Sequence, residues 1–173
     1  PVSRLAVHMR GQASYRVALG IVRGHPEFTL TSPMTGLAID LPAPLKKAAE
    51  LTWPLRAESR LANAAEGEPL RDTLSIELGN VIQAQYQRDL SHDDASVLRG
   101  SIAVLDSLPP RPERGVHALL NLPAIDLDAG QAVVDRMQGA VPDLAKALDL
   151  GYLPRTVALR AQAFTAGGRK LTR

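Results

Sequence analysis

Asp126 and Asp128 close a short apolar run, Leu119-Leu120-Asn121-Leu122-Pro123-Ala124-Ile125, and two acids so placed could share a proton or flank a glycosidic bond. A structural role accounts for both first. Asp128 precedes a helical run and has Gln131 three residues on, the spacing of a capping box in which a carboxylate accepts from first-turn backbone N–H groups. Asp126 falls on the polar side of the preceding alternation. His8, His25, His92 and His117 share no metal-ligand spacing, and a chain without cysteine offers no thiolate to complete a site. His8 and His117 take outward strand positions, where a solvated or hydrogen-bond-satisfied imidazole is expected and not a metal ligand. Asp89, Asp93 and Asp94 present oxygen ligands for a cation, yet Ser91-His92-Asp93-Asp94 reads first as a turn. No serine occupies a nucleophile elbow and no glycine-rich phosphate loop precedes a helix. The expectation is a non-enzymatic chain with no catalytic, cofactor-binding or metal-ligating residues.

Composition narrows the remaining classes. The chain has 173 residues, with 20 Lys+Arg against 18 Asp+Glu and a formal charge of +2, and its basic residues are spread singly along the sequence. No nucleic-acid partner is expected from such a pattern. The absence of cysteine fits either a reducing compartment or an envelope protein that avoids oxidation. The longest apolar run, 17–22, is far short of the ~20 residues that a membrane-spanning helix requires. The chain begins at Pro1 and stops just after a turn signal, and is read as an excised fragment of a longer protein, folded as one β-rich domain over 1–173.

Period-two alternation dominates, the mark of strands with one apolar and one polar face. Leu5, Val7 and Met9 alternate with polar neighbours, as do Tyr15, Val17, Leu19 and Ile21, and Gly11-Gln12 between them predicts a hairpin. Strands follow at 27–32 and 37–41. Pro44 then opens a short helix over 44–51. Alternation resumes over 53–61, and the clearest hairpin pairs 73–78 with 81–88 across a two-residue turn at Gly79-Asn80. Further strands are predicted at 97–105, 116–122 and 155–165, the last turning at Gly167-Gly168, with small helices over 129–149. Short connections predict a mainly β antiparallel meander forming a curved sheet or groove.

The apolar face is the one extended feature left for function. Leu74, Ile76, Leu78, Ile82, Ala84 and Tyr86, with Val157 and Leu159 near the end, are the candidate lining residues. Two covers suit such a face. It is either the inside of a two-sheet sandwich or the accessible wall of a single curved sheet holding something apolar. Tyr15, Phe28, Trp53, Tyr86, Tyr152 and Phe164 fall mostly on apolar faces, so core packing explains them better than a sugar platform.

Three stretches carry a family resemblance. Gly36-Leu37-Ala38-Ile39-Asp40-Leu41-Pro42-Ala43-Pro44-Leu45, then 119–129, then Leu153-Pro154-Arg155-Thr156-Val157-Ala158-Leu159-Arg160 resemble the periplasmic part of YhdP-type, AsmA-like proteins of Gram-negative bacteria. The resemblance implies antiparallel strands curled into an open groove, within an inner-membrane-anchored parent that reaches across the periplasm. It further implies phospholipid acyl chains as partners, moving toward the outer membrane, with the rest of the parent chain continuing the groove. The second reading is a structural or interaction module of the envelope with no ligand of its own. Unpaired sheet edges would permit self-association under either.

Overall fold

The alternating segments build eleven strands among the described residues of the computed structural model, which are 8–41, 43–62, 68–126, 146–166 and 169–172. In chain order they are β1 (Met9–Gly11), β2 (Arg16–Val22), β3 (His25–Ser32), β4 (Leu37–Ile39), β5 (Leu55–Leu61), β6 (Arg71–Leu78), β7 (Ile82–Asp89), β8 (Ser96–Val104), β9 (Gly115–Asp126), β10 (Thr156–Ala166) and β11 (Arg169–Thr172). Nine of them form one sheet in the order β11-β10-β9-β8-β7-β6-β5-β3-β2, and β1 and β4 form a separate two-stranded sheet. The large sheet is curved and open, in agreement with the mainly β class read from alternation.

The meander holds only as far as β8. β8 pairs β9 in parallel, and β9 pairs β10 in parallel. A parallel neighbour requires the chain to return to the starting edge, and the connection over 105–114 is long enough to do so. Ser101 Oγ donates to the Pro110 carbonyl at 3.2 Å, which lays this proline-rich segment over the polar face of β8. Ser101 and Ala103 beneath it are fully buried. This proline-rich connection is a crossover strap.

Three further local expectations change. Gly11 does not turn β1 into β2; β1 pairs β4, with Gly11 opposite Leu37. The Gly11 and Gly36 backbones approach so closely that a Cβ on Gly11 would stand 2.1 Å from the Gly36 carbonyl oxygen. Glycine serves here as a close-approach residue, which a β-turn reading does not anticipate. The helix over 44–51 does not form. Lys47 instead bridges Ile39, its N–H donating to the Ile39 carbonyl at 2.9 Å. The buried Lys47 ammonium donates to the carbonyls of Met34, Leu37 and Ala48 at 2.6, 2.7 and 3.1 Å, using all three donors.

The β6–β7 turn has three residues, 79–81, because Leu78 pairs Ile82. The difference matters. A two-residue turn would set Ile82 opposite Glu77 and send the apolar residues of β6 and β7 to opposite faces, whereas the extra residue keeps them together. Gly79 takes φ +52° at the start of this turn, with its N–H donating to the Pro54 carbonyl. A helical turn is present at 146–149, while the remainder of the predicted 129–149 helices, the Asp128 cap and Gly167-Gly168 lie outside the described residues. β10 and β11 pair antiparallel on either side of that glycine pair.

Candidate functional site: the apolar face of the sheet

Register across the sheet assembles the site one pair at a time. Val17 is opposite Leu30, Leu30 opposite Ala57, Ala57 opposite Ile76 and Ile76 opposite Ala84. The row continues from Ala84 to Ile102, Ala118 and Val157, so eight strands contribute one apolar residue each. From Leu30 onward, large and small residues alternate. A parallel row runs Leu55, Leu78, Ile82, Val104, Leu120 and Leu159. Paired residues in a sheet project to the same side, so all eight candidate residues, Leu74, Ile76, Leu78, Ile82, Ala84, Tyr86, Val157 and Leu159, share one face.

Burial varies along that face. Leu74, Ala84, Tyr86 and Val116 form its buried centre, with Phe28, Ile76, Val97, Ile102 and Tyr152 packed around them. The flanks are open: Leu19 is 78% and Ile21 81% exposed on one side, and Val157 and Leu159 are each 53% exposed on the other. Among the described residues the only second sheet is the two-stranded β1–β4 pair. The middle of the sheet is packed by neighbouring side chains, among them Tyr152 from the connection between β9 and β10, and aliphatic surface remains at both margins.

The face ends in a polar cluster that alternation alone had not singled out. Ser59, Asp72 and Arg88 belong to the same face as Leu74 and Tyr86: Ser59 is directly opposite Leu74, and Asp72 and Arg88 are opposite each other one step further along β6 and β7. Arg88 holds the Asp72 carboxylate with two N–H donors, Nε to Oδ1 at 2.9 Å and Nη2 to Oδ2, and Ser59 Oγ donates to Oδ2 at 2.6 Å. Arg88 Nη1 donates to the Tyr152 hydroxyl at 3.2 Å, and the Tyr152 ring meets Tyr86 edge to face at 5.5 Å. Asp72 is only 1% exposed. Burial by itself disfavours the Arg88 charge, but the hydrogen bonds to Asp72 and Tyr152 and the Asp72 charge outweigh it, so guanidinium protonation is strengthened overall. Burial, with Tyr152 beside it, also raises the Tyr86 hydroxyl above its ordinary value. The signal was present in the hairpin register, because the pairing that sets Leu74 opposite Tyr86 also sets Asp72 opposite Arg88.

The residues weighed for chemistry do not converge. Asp94 meets Lys146 at 3.1 Å on the surface, and Asp89 Oδ1 accepts from the Ser91 N–H at 2.8 Å, so these carboxylates serve as turn and ion-pair groups. His117, opposite Ser101 in register, has Nε2 buried and without a hydrogen-bond partner, as is Asp106 Oδ2, which has Arg160 at 3.8 Å. Asp126 is the last residue of β9, and Asp128 lies outside the described residues. Among the described residues no group of three His, Asp or Glu side chains is placed to hold a metal ion.

An open curved sheet with an aliphatic face crossing eight strands, and a polar cluster closing one end of it, defines a mainly β protein built on a single large sheet. The chain belongs to the YhdP family, matching the family described as YhdP protein over residues 2–173. No curated protein and no solved structure matches it. Membership points to a protein of the cell envelope, in a family not known for enzymes. No helix among the described residues is long and apolar enough to cross a membrane.

Proposed function

We propose that the apolar face shelters phospholipid acyl chains, as a segment of a periplasmic, inner-membrane-anchored parent protein that conducts lipid between the inner and outer membranes. The row from Val17 to Val157 carries this reading. Eight strands at ~4.8 Å spacing make it roughly 34 Å long. That exceeds the ~30 Å hydrocarbon core of a bilayer, which two opposed acyl layers fill, so the row is longer than one acyl chain, and its two ends at Val17 and Val157 are exposed. Aliphatic side chains suit such a guest, which needs dispersion contacts and exclusion from water and no directional partner. Exposed aliphatic flanks favour this over a module without a ligand, because extended apolar surface beyond a few hundred Å² marks an interaction surface.

Site-specific photocrosslinking in cells tests it. Probes at positions 76 and 82 capture lipid, and probes at 77 and 85, on the opposite face, do not. Equal capture at all four positions, or none at 76 and 82 in a folded protein, would favour the structural-module reading.

A further inference from the structure

The face opposite the apolar rows holds a cleft of about 610 Å³ at the end where β6, β8, β9 and β10 begin. Four arginines line it, Arg71, Arg99, Arg114 and Arg155, against the single carboxylate of Glu113. They come from four separate places in the chain. Arg71 opens β6 and Arg99 is on β8, while Arg114 ends the crossover strap and Arg155 leads into β10, with its N–H donating to the Val116 carbonyl at 2.9 Å. Parallel pairing of β8, β9 and β10 is what gathers them, because it brings the starts of β9 and β10 to the same end as the start of β8.

None of the four forms an ion pair with a carboxylate among the described residues. Asp89, opposite Arg71 in register, accepts from the Ser91 N–H and feels the Arg71 charge without a direct ion pair, and Arg99 Nε donates to Gln87 Oε1 at 2.7 Å, which steadies its guanidinium at the cleft wall. The whole chain carries only +2, so an excess of three positive groups in one concavity is a local concentration of charge. Such a cluster costs electrostatic free energy unless an anion occupies it. Guanidinium forks match the oxygen spacing of a phosphate and bind it through paired N–H donors.

We propose that this cleft binds a phosphate oxyanion, supplied either by a phospholipid headgroup or by a free phosphate or its ester. Its arginines are separate from the apolar rows, since Arg71 and Arg99 alternate with Asp72 and Gly100 and project to the other side, and Val97 at the strand end borders both. A carboxylate-only ligand would use the cluster less fully, having two oxygens to offer four forks.

The test follows the arginine side-chain N–H resonances of the full chain by NMR. Inorganic phosphate is titrated against chloride at matched ionic strength, and sedimentation with vesicles of equal parts phosphatidylglycerol and phosphatidylcholine forms a second arm. Saturable shifts at Arg99 and Arg155 with phosphate and not with chloride are expected. Arg99→Ala with Arg155→Ala weakens phosphate binding at least about tenfold, the scale of a lost charge-assisted hydrogen bond, while Arg56→Ala elsewhere on that face leaves it unchanged. Arg114→Glu, at an exposed position, gives the same loss if the double variant disturbs the fold. Vesicle binding that inorganic phosphate displaces assigns the anion to a headgroup; saturable phosphate binding without vesicle binding assigns it to a free phosphate. Absence of saturation, equal shifts with chloride, or equal loss in Arg56→Ala overturns the proposal.

Discussion

Asp72 and Arg88 show how one pair sets the boundary of the apolar face. Two charges removed from water require each other and every available hydrogen bond, and Ser59 and Tyr152 complete the set. Removing one partner leaves the other buried and unpaired. Arg88→Met is therefore expected to destabilise the chain by about 3–5 kcal/mol, a large share of a typical domain's stability, and Arg88→Met with Asp72→Leu should recover much of the loss. Urea unfolding of the two variants checks this; equal losses in both would mean that packing and not charge dominates. On the polar face Glu58 stands between Arg60 and Arg56, and their hydrogen bonds, first Arg60 and then Arg56, hold its carboxylate below the ordinary glutamate value. A depressed folded-state value means that this contribution is present above the unfolded value of about 4.3 and disappears as pH falls through the folded one. Glu58→Gln should therefore lower stability near neutrality, where the contribution is present, and flatten the profile in the acid window, the two proteins converging as pH falls below the folded value, as measured by unfolding midpoints from pH 7 downward.

Strands depend on the fit between neighbours as much as on their own alternation. Gly100 is opposite Tyr86 on the apolar face, and a Cβ there would stand 2.6 Å from Tyr86 Cδ1 and 2.9 Å from the Gln85 carbonyl oxygen. A glycine in a central strand is usually a weakness; here its missing side chain is the space that the tyrosine ring fills. Gly100→Ala should cost about 1–3 kcal/mol through overpacking, and Tyr86→Leu in the same chain should relieve part of it. A thermal shift within error of the parent for Gly100→Ala would show that the β7–β8 pair can slide to accommodate the methyl. The nearby register shift between Gln87 and Arg88 is compatible with local give, so the double variant is the more telling measurement.

For the whole molecule, the two faces of one sheet carry different surfaces, aliphatic on one side and polar with an arginine cleft on the other. Ile76→Asp places a charge in the row that joins eight strands, and Gln85→Asp places the same charge on the opposite face. The inward change should reduce lipid capture in the intact parent protein by an order of magnitude or more, and the outward change should have little effect. Circular dichroism must show the Ile76→Asp sheet intact, since a charge forced into a closed core would unfold it. Equal capture in both variants would argue against an acyl-chain role for this face. The exposed flank of β2 invites pairing with another strand, so concentration-dependent association that Leu19→Lys and Ile21→Lys abolish would identify that margin as a contact surface.

Alternation in the sequence determined which residues share a face within a strand, because a two-residue side-chain period is a local property of extended backbone. It thereby identified the mainly β class, the strands from β2 to β10 and the candidate lining residues. The hairpin register also held the Asp72–Arg88 pair, which becomes legible once the turn is given three residues. Tertiary structure decided the partners and their directions. Alternation looks the same in a parallel or antiparallel strand, and only the path of 105–114 across β8 makes β9 run parallel to it. β1 left its sequence neighbour for β4 because the Gly11 and Gly36 backbones could approach closely, a contact between residues far apart in the chain. The arginine cleft was hidden for the same reason: Arg71, Arg99, Arg114 and Arg155 are scattered singly along the sequence and meet only where a parallel sheet brings strand beginnings to one end.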